Sequence, residues 1–305
     1  MTAEPTYNKH LASLTAIFIL GDAAIIFPSS DSGDYPLLGF FAVAIAAVCL
    51  YFAVFPLTSR FIGKPCKSPV SRLFSALLLA LAAAYALYNA GITLIRYADF
   101  VDRILLPETP KFLIAAVFIL SAVYLATRRQ EVILKLALMA LLAAVAAVCI
   151  FFLLSAKDFK AENIAVYDLP SAGELIKSSK PYLLNISLPT LLIPAYSALF
   201  TGKSRAGAPF FGLITGLVLE VVCLLESLLL FGAPLAVKLS FPLAAAVSTV
   251  TVGPLFSRMD GVVYCLFFVL ALIKTAVCMK LAFFALIKAK NETCQEFRTD
   301  RRVKN

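Results

Sequence analysis

The sequence predicts an all-α polytopic membrane protein of about eight spans, and three observations carry that prediction. Of the 305 residues, 61% are hydrophobic, against about 45–50% in soluble domains, and mean hydropathy is +0.92. Several apolar runs reach or approach the roughly 20 residues that cross a bilayer core. The runs are continuously apolar rather than alternating, which favours helices over a β-barrel.

In chain order the expected spans are 11–28, 36–57, 73–97, 111–127, 132–154, 182–201, 208–232 and 260–288. The stretch 240–256 is apolar but broken by Pro242, Gly253 and Pro254, and reads as a re-entrant or surface helix-turn. The loop 155–181 is the largest polar insert, and its "SAGELIKSSKP" suits a short amphipathic helix. The whole chain, 1–305, reads as one integral membrane domain with a cytoplasmic tail at 289–305.

Lysine and arginine set the orientation. Arg60, Lys64, Lys67 and Arg72 follow the second span, and Arg128 and Arg129 the fourth. Lys203 and Arg205 follow the sixth, and Lys290, Arg298, Arg301, Arg302 and Lys304 the eighth. All lie on one side if both termini are cytoplasmic. The net charge of +9 is then explained by cytoplasmic loops, and nucleic acid is not an expected partner. The N-terminus has no basic n-region or small-x-small cleavage site, so no cleaved leader is expected. Five of the seven cysteines fall in apolar runs, Cys66 and Cys294 in basic segments, and no CxxC occurs, so neither a disulfide framework nor a zinc site is expected. The single histidine, His10, is terminal. No cofactor fingerprint, metal-ligand cluster or activated nucleophile appears, and the chain does not read as an enzyme.

Two spans are interrupted. "LGDAAIIFP" places Gly21 and Asp22 near mid-depth of the first, and "NISLPTLLIPAY" places Pro189 and Pro194 near mid-depth of the sixth, beside Asn185, Ser187, Thr190 and Tyr196. Proline removes a backbone donor and glycine unwinds at little cost. Spans one and six would be equivalent members of two inverted five-helix repeats, and paired broken helices at equivalent positions point to a midplane binding site. Kinks in ordinary packed helices are the alternative.

Asp22, Glu220 and Lys274 fall near mid-depth, where each costs about 2.5–3.5 kcal/mol on insertion scales unless paired or hydrated. They are read as an ion relay or an internal ion pair. Lys135 and Lys280 are expected to snorkel, and Glu226 to reach water on the outer side. In span seven, Gly212, Gly216, Glu220, Cys223 and Ser227 share one stripe, and Gly212-x-x-x-Gly216 allows another helix to approach closely. Tyr85, Asn89, Thr93 and Arg96 form a polar stripe in span three; Tyr264, Ala271, Lys274 or Thr275, and Cys278 form one in span eight. The candidate substrate-binding set is Gly21, Asp22, Ala23, Tyr85, Asn89, Ser187, Pro189 and Thr190.

The order of these features resembles the spore germination permeases, the B subunits of GerA-type germinant receptors. "LGDAAIIFP" is similar to their G-x-a-i-l-x-P segment and "LPETPKFLI" (106–114) to their L-x-x-T-P turn. "FPLAAAVSTVTVGPLFSRMDGVVYCLFF" (241–268) is similar to their f-x-R-x-D segment, carried by Phe256, Arg258 and Asp260. The resemblance implies the amino acid–polyamine–organocation superfamily and a LeuT-like core with ligand between broken helices 1 and 6. It also implies recognition of a nutrient germinant, often an amino acid, in the inner membrane of a spore or the cell membrane of a spore-former. The implied partners are a membrane A subunit and a lipoprotein C subunit. The chain departs from the family in stopping after about eight of ten spans, and in Asp22, where an uncharged residue is expected in most relatives. The leading reading is therefore a ligand-binding receptor subunit. A proton- or ion-coupled amino acid transporter and a degenerate structural paralogue are the alternatives.

Overall fold

A computed structural model describes residues 3–22, 35–61, 69–164, 170–187, 190–201, 207–249 and 260–303. Among these the chain is helical throughout, with eleven α-helices. They are α1 (Ala3–Leu20), α2 (Pro36–Phe61), α3 (Pro69–Phe100), α4 (Lys111–Thr127), α5 (Gln130–Ser155) and α6 (Ala172–Tyr182). There follow α7 (Leu192–Thr201), α8 (Gly207–Phe231), α9 (Ala233–Ala236), α10 (Pro242–Thr249) and α11 (Asp260–Val303).

Five helical stretches are long and apolar enough to cross a membrane: 36–56, 73–105, 130–158, 207–231 and 260–290. They coincide with five expected spans. The remaining three are realised differently. Helix α4 is apolar but has 17 residues. Helix α1 has 18 residues and stops at Leu20, where Gly21 and Asp22 interrupt the expected span; Ala23 and Pro28 lie outside the described residues. The sixth span is divided into a π-helical turn at Leu183–Ser187, which follows α6, and α7. Pro189 lies outside the described residues between them.

Burial separates the helices into an inner and an outer set. About 56% and 61% of the apolar windows of α8 and α11 are buried, against 28–33% for α2, α3 and α5. Helix α1 is the most enclosed: Leu14 and Ala16 to Leu20 are all at most 4% exposed. An apolar helix buried on every side belongs at the centre of a bundle. It packs along α8 and α5 and touches α11, which in turn packs along α3, α4 and α5.

The α1–α8 seam is built by the two glycines singled out above. A Cβ on Gly212 would strike the Ala12 carbonyl oxygen and lie 2.6 Å from Thr15 Cβ; one on Gly216 would lie 2.9 Å from both Ala16 O and Ile19 Cβ. Only glycine permits this approach. Helix α8 stops at Gly232, whose φ of +72° suits glycine at a helix C-terminus. Asn163 caps it, donating from Nδ2 to Leu229 O at 2.8 Å.

Within segment 155–181 the described residues form short 3-10 turns at Ala156–Asp158 and Ala161–Ile164 and helix α6. Its amphipathic helix forms as α6, opened by a capping box in which the Ser171 hydroxyl accepts from Glu174 N and the Glu174 carboxylate accepts from Ser171 N. The Ser171 backbone N and hydroxyl both donate to the Glu174 carboxylate, and these bonds to its charged form hold that carboxyl below the usual range. Helix α6 docks on α2 at Gly39, where a Cβ would lie 2.5 Å from the Ser178 backbone. Within 240–256, the eight residues of α10 form a short helix on α8 and α11, and Tyr264 donates to its Ala244 O at 2.8 Å.

Candidate functional site

The end of α1 organises a buried polar group. Its last helical hydrogen bond runs from Gly21 N to Ile17 O at 2.7 Å. Beyond it the chain turns at Asp22, whose residue is 2% exposed. Lys274 of α11 donates from Nζ to Asp22 Oδ2 at 2.6 Å, with side chains 0% and 3% exposed. Thr93 of α3 donates from Oγ1 to Asp22 Oδ1 at 3.1 Å. Both carboxylate oxygens are therefore engaged. The Phe18 ring centroid lies 5.3 Å from Lys274 Nζ, within cation–π range.

Gly21 makes room for the lysine stem. A Cβ there would lie 3.1 Å from Lys274 Cδ and 3.2 Å from its Cβ. The Tyr97 hydroxyl lies 3.0 Å from both Gly21 O and Phe267 O and bridges α1 and α11. A helix C-terminus carries partial negative charge on its unpaired carbonyls. The α1 end and Asp22 thus form one anionic site, and Lys274 is the cation that occupies it.

Glu220 of α8 completes the group. It is 4% exposed, neither carboxylate oxygen has a hydrogen-bond partner among the described residues, and it lies in electrostatic reach of Lys274 and Asp22. The structure therefore brings together Gly21, Asp22, Glu220 and Lys274 from the candidate set. Tyr85 and Asn89 sit two turns and one turn, respectively, before Thr93 on α3. Asn89 Nδ2 donates to Tyr85 O at 3.1 Å within its own helix, and Tyr85 lies in electrostatic reach of Cys278 of α11. Thr190 is buried and donates to Ile186 O at 2.6 Å. These three are placed but not bonded to Asp22. The Ser187 side chain, Ala23 and Pro189 lie outside the described residues.

The two interrupted helices touch. The hydroxyls of Thr15 on α1 and Tyr196 on α7 are hydrogen-bonded, and the Phe18 and Tyr196 rings lie 5.9 Å apart. Arg96 donates to Asn185 Oδ1 and joins α3 to the π-helical turn. Tyr97 and Phe18 were not candidates. Tyr97 continues the 85–89–93 stripe at the same spacing of four, which was the available signal, whereas Phe18 has none beyond its place before Gly21.

Glu226 departs from expectation. Rather than reaching water it is 1% exposed, and Ser155 of α5 donates from Oγ to its Oε1 at 3.0 Å. Depth along the helix did not reveal that α5 closes over that face. Lys280 is 7% exposed and donates to the Arg128 backbone carbonyl instead of snorkelling. Lys135 is exposed as expected.

A bundle of long apolar helices around an interrupted central helix, with a carboxylate–lysine pair at the break, defines a helical integral membrane protein. The family model described as spore germination protein matches residues 8–295, and the chain belongs to that spore permease family. No curated protein matches the chain.

Proposed function

We propose that the protein is the membrane subunit of a spore nutrient germinant receptor, and that it binds a small germinant such as an amino acid between its interrupted helices. The observation that carries this reading is the end of α1. A helix C-terminus and the Asp22 carboxylate converge in a buried place, in contact with the second interrupted helix through Thr15 and Tyr196. Such a site suits an ammonium group. The ligand carboxylate would accept from exposed backbone donors at the broken helix ends. Gly21, Asp22, Ala23, Ser187, Pro189 and Thr190 would line the break, with Tyr85 and Asn89 on the flank.

On this reading the fold is LeuT-like, both termini are cytoplasmic, and the protein sits in the inner membrane of a spore or the cell membrane of a spore-former. It works with membrane A and lipoprotein C subunits.

The test is calorimetry and thermal shift on purified protein with amino acids, sugars and nucleosides. An amino acid should bind wild type, and Asp22→Asn should weaken it strongly. Unchanged binding removes the ammonium role. No shift with any compound favours a structural paralogue, and uptake into proteoliposomes driven by a pH gradient favours a transporter.

A further inference from the structure

Glu220 is the group that the amine-binding reading leaves unused. Buried polar groups are ordinarily hydrogen-bonded, yet among the described residues both of its oxygens lack a partner. Its position follows from helix register. Gly212 faces Ala12 and Thr15, and Gly216 faces Ala16 and Ile19. Four residues along α8 thus match four along α1, and the helices run parallel. One further step sets Glu220 against the end of α1, at residues 20–22.

The titratable neighbours are few. Helix α1 brings Asp22, α11 brings Lys274, α6 brings Tyr182, and α8 itself adds Cys223. The Tyr51 ring of α2 packs tilted against Phe210, and Tyr196 of α7 bonds to Thr15, so both address earlier turns of the α1–α8 seam. Glu131 and Lys135 of α5, and Glu162 beside α8, are exposed, and α9 and α10 carry no titratable residue. With Glu220 ionised, two buried carboxylates would share one ammonium. With Glu220 protonated, the site is neutral.

We propose that Lys274 is a two-position switch with Glu220 as its second counter-ion. In the present arrangement it pairs with Asp22 while Glu220 carries a proton. When another ammonium occupies Asp22, Lys274 moves to Glu220 and the proton leaves to water. The site is neutral before and after, and one proton is released for each ammonium bound. The lysine ammonium is a compact charge on a flexible stem, suited to such a move. The Tyr182 hydroxyl is buried without a partner among the described residues and lies in electrostatic reach of Glu220, available to donate once that carboxyl ionises. The ligand-driven half rests on the amine-binding reading of Asp22; the two counter-ions do not.

Infrared difference spectroscopy on the full chain in lipid nanodiscs tests this without ligand. Wild type should show a protonated-carboxyl carbonyl band that Glu220→Gln removes. Asp22→Asn should abolish the same band, because Lys274 transfers to Glu220, and adding Lys274→Met should restore it. Absence of a Glu220→Gln-sensitive band in wild type overturns the proposal, and needs no Asp22 variant. So does a band unchanged in Asp22→Asn. Calorimetry with methylammonium in two buffers of different ionisation enthalpy reads the second half: about one proton released in wild type and none in Glu220→Gln. If methylammonium does not bind while the infrared pattern holds, the amine-binding reading fails and the switch stands.

Discussion

Replacing Lys274 with Met is the sharpest perturbation of the buried pair. At 2.6 Å and an effective dielectric constant near 20, the attraction between the two charges is about 6 kcal/mol. Desolvating two ions offsets most of that, so the pair is worth little net. Removing one partner is a different matter, because it strands the other; such losses run to about 3–5 kcal/mol. Lys274→Met leaves Asp22 with only the Thr93 hydroxyl, close to a second acid, and should cost the full amount. Asp22→Asn leaves Lys274 with Glu220 as a replacement partner, and should cost less than half as much. The double variant leaves no buried charge stranded and should recover most of the Lys274→Met loss. The chain has no tryptophan, so equilibrium unfolding in mixed micelles is best followed by far-ultraviolet circular dichroism. A Lys274→Met loss below about 1 kcal/mol, or an Asp22→Asn loss equal to it, would refute the reasoning.

Two further outcomes test the scaffold around the site. Gly212→Ala drives a methyl group into the Ala12 carbonyl and should destabilise by about 1–3 kcal/mol; Gly91→Ala, with nothing within 4 Å, should be neutral or stabilising in the same unfolding measurement. The Glu174 carboxyl is held below its ordinary value of 4.5 by Ser171, so its contribution to the α6 cap is present above the unfolded value and lost as pH falls through the folded one. Hydrogen exchange across 172–182 should therefore accelerate on acidification once corrected for intrinsic rates, and Glu174→Gln should remove that dependence.

Much of the architecture was legible because its signals are local. Apolar run length located the five long helices, and Gly21-Asp22 marked the end of α1 because a glycine beside a carboxylate is a poor continuation of an apolar helix. The charge content of each span set Asp22, Glu220 and Lys274 at similar depth. Gly212-x-x-x-Gly216 announced a close helix contact. The capping box of α6 could be read from Ser171 and Glu174, three residues apart.

What stayed hidden was which faces meet. Asp22 and Lys274 are 252 residues apart, and nothing in either segment states that their helices are rotated towards each other. Glu226 and Ser155 are 71 apart, and depth alone sent Glu226 to water. The sequence by itself determined that this chain is a bundle of membrane helices with three costly charges and a broken first helix, because hydropathy and insertion cost depend on one segment at a time. Only the tertiary structure decided that α1 is the helix in the glycine seam, that Lys274 pairs with Asp22, and that Glu220 is left without a donor among the described residues. Those outcomes depend on the rotation and register of helices distant in sequence, which are settled by packing them against one another.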